Sequence, residues 1–137
     1  MSWSLRAVIA VLAAGTVSMF SDWLFMGVLF HDRYNRYPEV WWPGLRQKAA
    51  DARAILISSA LAYLTALAVV ALCCYGRAHT LPRALFLAFA AWVAGPLVMQ
   101  VTNGFWIKTD PLITVSHSAG WLVRFLVAGL AAGLLLV

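Results

Sequence analysis

Apolar residues gather in four long runs separated by polar connections. The first runs from Ala7 to Phe30, the second from about Ala54 to Tyr75, the third from Ala84 to Trp106 and the fourth from Leu112 to Val137. None shows the two-residue alternation of a half-buried strand. Crossing the hydrocarbon core takes about 20 residues of α-helix at about 1.5 Å rise each, and every run reaches that length. A backbone in lipid must satisfy its own hydrogen bonds, which favours helix for each run. The pattern predicts an all-α membrane protein with helices over approximately 7–30, 54–75, 84–106 and 112–137, in one transmembrane domain covering 1–137. Short connections set successive spans antiparallel, so the expected fold class is an antiparallel four-helix transmembrane bundle.

The connection from His31 to Arg53 is the long one. Tyr34, Tyr37, Trp41 and Trp42 among charges read as an aromatic belt at headgroup level. Pro38 and Pro43-Gly44 interrupt any helix there, and Leu45 to Arg53 is expected as a short interfacial helix leading into the second span. This stretch reads first as an anchor and second as a lid over the bundle. The other connections are short. Pro82 lies near the start of the third helix, and Asp110-Pro111 has the form of an N-cap followed by proline at the first helical position. Arg6, Ala7 to Ala14 and Ala13-Ala14-Gly15 have the layout of a signal peptide. The apolar run continues to Phe30, so an uncleaved first span is expected.

Composition removes the soluble alternative. Charged residues make up 11% of the chain, against about 25% in soluble domains. The net charge of +5 does not point to nucleic acid, because the ten Lys and Arg lie mostly beside apolar runs and no nucleic-acid motif accompanies them. Arg6, Arg77 and Arg83 fall on one side, and Arg33, Arg36, Arg46, Lys48, Arg53 and Lys108 on the other. The positive-inside rule then puts the long connection in the cytoplasm and both termini outside. Cys73 and Cys74 are adjacent, which suits free buried thiols better than a disulfide or a redox pair.

Depth sorts the polar residues within the spans. Asp22 lies eight residues before Phe30, and Gln100 and Asn103 lie six and three before Trp106. Thr114, Ser116, His117 and Ser118 fall within six residues of Leu112, with Arg124 twelve beyond it, and Ser58 and Ser59 follow Ala54 by four and five. All four helices thus place polar groups in the same half of the membrane. Helical spacing groups them further: Ser18 with Asp22, Gln100 with Asn103, and His117 with Trp121 and Arg124 each share a face. Pro96, one turn before Gln100, is expected to kink the third helix. A lone charge at the centre of a span costs about 2.5–3.5 kcal/mol. Pairing Asp22 with Arg124 is the economical solution, since their depths differ by about 6 Å, within the reach of an arginine.

Two readings of this cluster stand side by side. As a site it comprises Asp22, Arg124, His117, Gln100, Asn103, Ser18, Ser58 and Trp121, and binds or moves a small solute, ligand or proton. As glue it holds an accessory or structural subunit together. A membrane-embedded enzyme is the third reading, since no H-E-x-x-H, G-x-S-x-G or phosphate loop is present. No cofactor is expected, with haem or a metal through His117 and His31 a minority reading. The partners expected are the lipid bilayer and a second copy of the chain, docked through the close-approach motif Gly129-x-x-x-Gly133.

Three features carry a resemblance. They are Trp23-Leu24-Phe25 through Gly27-Val28-Leu29-Phe30 at the end of the first helix, the charged aromatic connection after it, and Ser116-His117-Ser118 in the last helix. The chain resembles a widespread family of small bacterial four-helix membrane proteins known only as a domain of unknown function. The resemblance implies four spans, most of the chain covered and a bacterial inner membrane. It implies no activity.

Overall fold

A computed structural model describes residues 1–40 and 48–137. Trp41, Trp42, Pro43-Gly44, Leu45 and Arg46 of the long connection lie outside the described residues. Among the described residues the helices are α1 (Trp3–Asp22), α2 (Lys48–Tyr75), α3 (Leu81–Trp92), α4 (Val98–Trp106) and α5 (Pro111–Leu135), with no strand. A π-helical segment, Trp23–Leu29, prolongs α1, and a second, Val93–Leu97, joins α3 to α4. Four stretches, Trp3–Leu29, Ala52–Tyr75, Leu81–Trp106 and Pro111–Leu135, are each long and apolar enough to cross a membrane. They are the spans of a multi-pass membrane protein.

Local chemistry sets several boundaries. The Ser2 hydroxyl accepts from the Leu5 amide at 3.3 Å and starts α1. Thr80 accepts from the Arg83 amide at 3.4 Å and starts α3. Asp110 accepts from the Leu112 amide at 2.9 Å and starts α5, with Pro111 as its first residue. Each cap satisfies an amide that the first turn leaves without a helical partner. Pro96 lies inside the second π segment. Its nitrogen carries no hydrogen, so the chain widens by one residue there instead of keeping the α ladder. Of the short interfacial helix expected over Leu45–Arg53, residues 45–47 lie outside the described residues. From Lys48 onward the chain is already in α2, because Ala49, Ala50 and Ala52 are strong helix formers and nothing between Lys48 and Arg53 breaks the run.

Packing is by small residues, with α5 in contact with α1, α2, α3 and α4. The buried set is Ala10, Ala14, Ala62, Ala66, Ala84, Ala88, Ala128 and Ala132, with Val69, Val70, Cys73 and Trp92. Large apolar side chains point outward, as Leu56, Phe86 and Leu134 do at 71%, 67% and 64% exposure. Lipid tails solvate such groups as well as a protein core does, so helix association rests on close backbone approach.

Gly129 and Gly133 are buried within the chain. A Cβ at 129 would lie 2.7 Å from that of Ala88, and one at 133 would lie 2.6 Å from the Leu81 side chain. The small-residue face expected to meet a second copy is therefore covered by α3 of the same chain. The motif signals a close approach but does not specify the partner helix.

The first and third connections meet. The 3₁₀ turns His31–Asn35 and Pro38–Val40 carry the chain out of the first span. Arg36 Nη1 donates to Asp110 Oδ2 at 2.8 Å, with Arg33 Nη1 3.7 Å from the same oxygen. Lys108 Nζ donates to Glu39 Oε1 at 2.8 Å and lies 5.0 Å from the centre of the Tyr37 ring. These contacts tie residues 33–39 across the start of α5.

Candidate functional site

Asp22 closes α1, and Arg124 lies midway along α5. The guanidinium grips the carboxylate with two hydrogen bonds, Nε to Oδ1 at 2.8 Å and Nη2 to Oδ2. This is the planar two-pronged match that arginine makes and lysine cannot. The side chains are 7% and 16% exposed. Gly120, one turn before Arg124, faces the acid: a Cβ there would meet Asp22 Oδ1 at 3.7 Å, an ordinary van der Waals contact. The guanidinium also lies 4.6 Å from the centre of the Trp121 ring, and Trp121 leans on Phe125 at 6.2 Å. An aromatic face under a desolvated cation adds roughly 0.5–2 kcal/mol of attraction.

Several serines flank the pair in sequence, Ser18 and Ser21 on α1 and Ser116 and Ser118 on α5. Ser18, one turn before Asp22, is 1% exposed, and Ser116, one turn before Gly120, is fully buried. The Ser18, Ser21 and Ser118 hydroxyls have no hydrogen-bond partner among the described residues. Ser118 lies toward α3, where its carbonyl accepts from the Trp92 indole N–H at 3.0 Å. His117 is half-buried, within electrostatic reach of both Asp22 and Arg124.

Tyr34 completes the site from outside the helices. Its ring meets that of His117 edge-on at 5.7 Å, and its hydroxyl interacts with the Ser116 side chain. Burial, and secondarily the nearby Asp22 charge, push the phenol above its ordinary value, and the Ser116 contact opposes them. Tyr34 therefore stays protonated at neutral pH and can donate. The sequence shows it only as one aromatic among several in a long connection. The signal that could have singled it out is the run of basic residues around it, Arg33 and Arg36, matched to Asp110 in the third connection.

The other expected members are placed differently. Gln100 is half-buried on α4, while Asn103 and Ser58 are exposed. Ser59, next to Ser58, is half-buried, but its hydroxyl donates to the Ile55 carbonyl at 2.8 Å. Asn103 and Ser58 share the depth of the cluster but not its face. The π segment at Val93–Leu97 resets the rotation of α4, and no residue of α4 is buried. His31 is exposed on its 3₁₀ turn, and no group of three His, Cys, Asp or Glu among the described residues could hold a metal ion.

Two apolar grooves open on the helices, the second touching the site through Trp121. One of about 550 Å³ runs between α1 and α2, bordered by Trp3, Leu12, Leu67 and Tyr75. The other, about 310 Å³, is bordered by Leu64, Leu72, Trp121 and Phe125. Neither contains a charged side chain, so the chemistry of the molecule concentrates at Asp22, Arg124, His117, Tyr34 and the serines.

No curated protein and no solved structure matches the chain. One family model does, over residues 9–133, which covers most or all of each of the four spans and every residue of the site. The chain belongs to that family, DUF1761, a family of proteins of unknown function.

Proposed function

We propose that this protein is an antiparallel four-span bundle holding, in one half of the bilayer, a hydrated polar site for a small solute, ligand or proton. Asp22 and Arg124 form its centre, Trp121 its floor, and Ser18, His117 and Ser116 its walls. Tyr34 covers the mouth on the side of the first and third connections. The antiparallel reading is supported by contacts that run in opposite sequence order, Gly133 with Leu81, Gly129 with Ala88 and Ser118 with Trp92. The excess of Lys and Arg favours placing the long interfacial connection in the cytoplasm and the termini outside, in a bacterial inner membrane.

The observation that carries the reading is the set of enclosed hydroxyls left without a partner beside an ion pair that is already complete. A buried hydroxyl without a hydrogen bond costs about 1–3 kcal/mol. Groups that serve only as interhelical glue satisfy one another. Spare hydroxyls beside two charges fit a place that takes water or a polar ligand. The second reading, an accessory subunit with the cluster as glue, is favoured by the two-pronged geometry of the pair and its seat on Trp121.

Thiol labelling separates the two. Ser18→Cys, in a chain with Cys73 and Cys74 replaced by alanine, is treated in membranes with a small water-soluble methanethiosulfonate. Thiolate forms only in water, so a hydrated site predicts modification, accelerated by Tyr34→Ala. A thiol at 18 that stays unmodified while an Asp32→Cys control, exposed in the first connection on the same side as the mouth, reacts would establish a sealed cluster and leave the glue reading.

A further inference from the structure

The chemistry of the pair restricts what can replace either partner. A guanidinium keeps its charge under all ordinary conditions, whereas a carboxylate can take a proton. Arg124 is 6% exposed, so its charge must stay paired wherever the acid goes. A cation arriving at Asp22 would displace Arg124 and strand it. Among exchanges in which an anion replaces Asp22 on the guanidinium, the one that conserves the charge of the site has Asp22 accept a proton and let go as the anion takes its place. The two-pronged seat of Asp22 on Nε and Nη2 matches the shape of a carboxylate. The Ser18 hydroxyl, 1% exposed and unpartnered one turn from Asp22, supplies a donor for it.

Resting on the reading of a hydrated site, we infer that the site binds a small monocarboxylate anion on Arg124, with Asp22 taking up one proton as the anion binds. The process is electroneutral: one proton and one anion enter, Asp22 becomes the neutral acid, and the Arg124 charge passes from one carboxylate to another. The ionisable groups facing Asp22 are Arg124 and His117 from α5 and Tyr34 from the first connection. Tyr63 of α2 meets α1 instead at Thr16, more than a turn from Asp22, at 3.1 Å.

Formate is the probe, titrated calorimetrically into the full-length protein in detergent between about pH 5 and pH 8, in buffers of different ionisation enthalpy. One proton is taken up per formate bound, and affinity rises about tenfold for each unit fall in pH. His117→Asn weakens formate binding by altering a wall of the site but keeps one proton per formate bound, because the proton resides on Asp22. Asp22→Ala binds formate without proton uptake and gains more thermal stability from it than the wild type does. Arg124→Gln binds none. Wild-type affinity that ignores pH, no formate binding at pH 5, or a linkage that vanishes with His117→Asn would each overturn the inference, whether or not Asp22→Ala can be purified. A thiol at 18 that reacts while formate fails to bind keeps the hydrated site and removes this ligand class.

Discussion

Removing Asp22 and Arg124 singly and together tests the physical core of the site. The side chains are 16% and 7% exposed, so most of the hydration each charge would have in water is gone. Breaking such a pair from one side costs about 3–5 kcal/mol, because the remaining charge is left in an apolar setting. The two single replacements are not equivalent. Asp22→Ala strands a guanidinium, which cannot neutralise itself, and sits at the top of that range. Arg124→Leu strands a carboxylate, which can take a proton. Its cost is smaller, shrinks as the pH falls, and includes the lost seat on Trp121. In the double replacement neither charge remains, so its cost falls below the sum of the singles by at least about 2 kcal/mol. The assay is unfolding of the purified proteins from detergent micelles into SDS, followed by tryptophan fluorescence. Costs that add to within about 0.5 kcal/mol would mean that the two groups do not interact, and the reasoning would fail with them.

Three further outcomes follow. Gly129→Ala places a methyl 2.7 Å from Ala88 and 3.1 Å from the Ala84 carbonyl. It should cost about 1–3 kcal/mol of monomer stability in the same assay, and an unchanged stability would return this face to intermolecular use. Ser58→Ala and Asn103→Leu are exposed and should change stability by no more than about 0.5 kcal/mol and leave formate binding intact; loss of binding in either would put it back in the site.

The third outcome concerns acid. Asp110 is held below its ordinary value of 3.8, first by the hydrogen bond from Arg36 and then by the Leu112 amide, and Glu39 is held below 4.5 chiefly by Lys108. Both values are depressed in the folded state, so what these contacts contribute is fully present above 4.5 and is lost as the pH falls through the depressed values. The first connection therefore stays fastened over the site at neutral pH and loosens in strong acid. Arg36→Gln should loosen it at neutral pH, seen as exposure of a labelled Tyr34 ring by NMR. A Tyr34 signal unmoved by Arg36→Gln would show that the ring is held by its helical neighbours alone.

The four helices were legible because lipid imposes one requirement, a long apolar stretch that satisfies its own backbone, and 64% apolar composition leaves little else to read. Depth was legible for the same reason: helical rise is constant, so counting from Phe30 and Leu112 brings Asp22 and Arg124 to neighbouring levels. Rotation was not. Ser58 and Asn103 have the depth of the cluster but face outward, and counting along a helix cannot foresee the widened turns at Trp23–Leu29 and Val93–Leu97. The first of these lacks even a proline to announce it. Partner choice was hidden as well, because Gly129 and Gly133 specify a distance of approach that α3 meets as readily as a second molecule would.

Tyr34 shows where local reading ends. Its own neighbourhood describes an interfacial aromatic, and Arg33 and Arg36 become a signal only once they are matched to Asp110. What brings it onto His117 is a contact 74 residues away in sequence, Arg36 on Asp110, and Asp110 is fixed in turn by capping α5. The cap that starts the last span thus also anchors the segment carrying Tyr34. This ties the folding of α5 to the cover over its own polar face: a substitution such as Asp110→Ala would fray the first turn of the helix and release the strap in one step. Asp110→Asn, which keeps a capping oxygen but gives up the charge that holds Arg36, would release the strap while leaving the helix start in place. Comparing the two by the Tyr34 signal and by the amide exchange of Leu112 and Ile113 separates the roles. If Asp110→Asn frays the helix as much as Asp110→Ala does, the cap depends on the arginines, and strap and helix are a single unit.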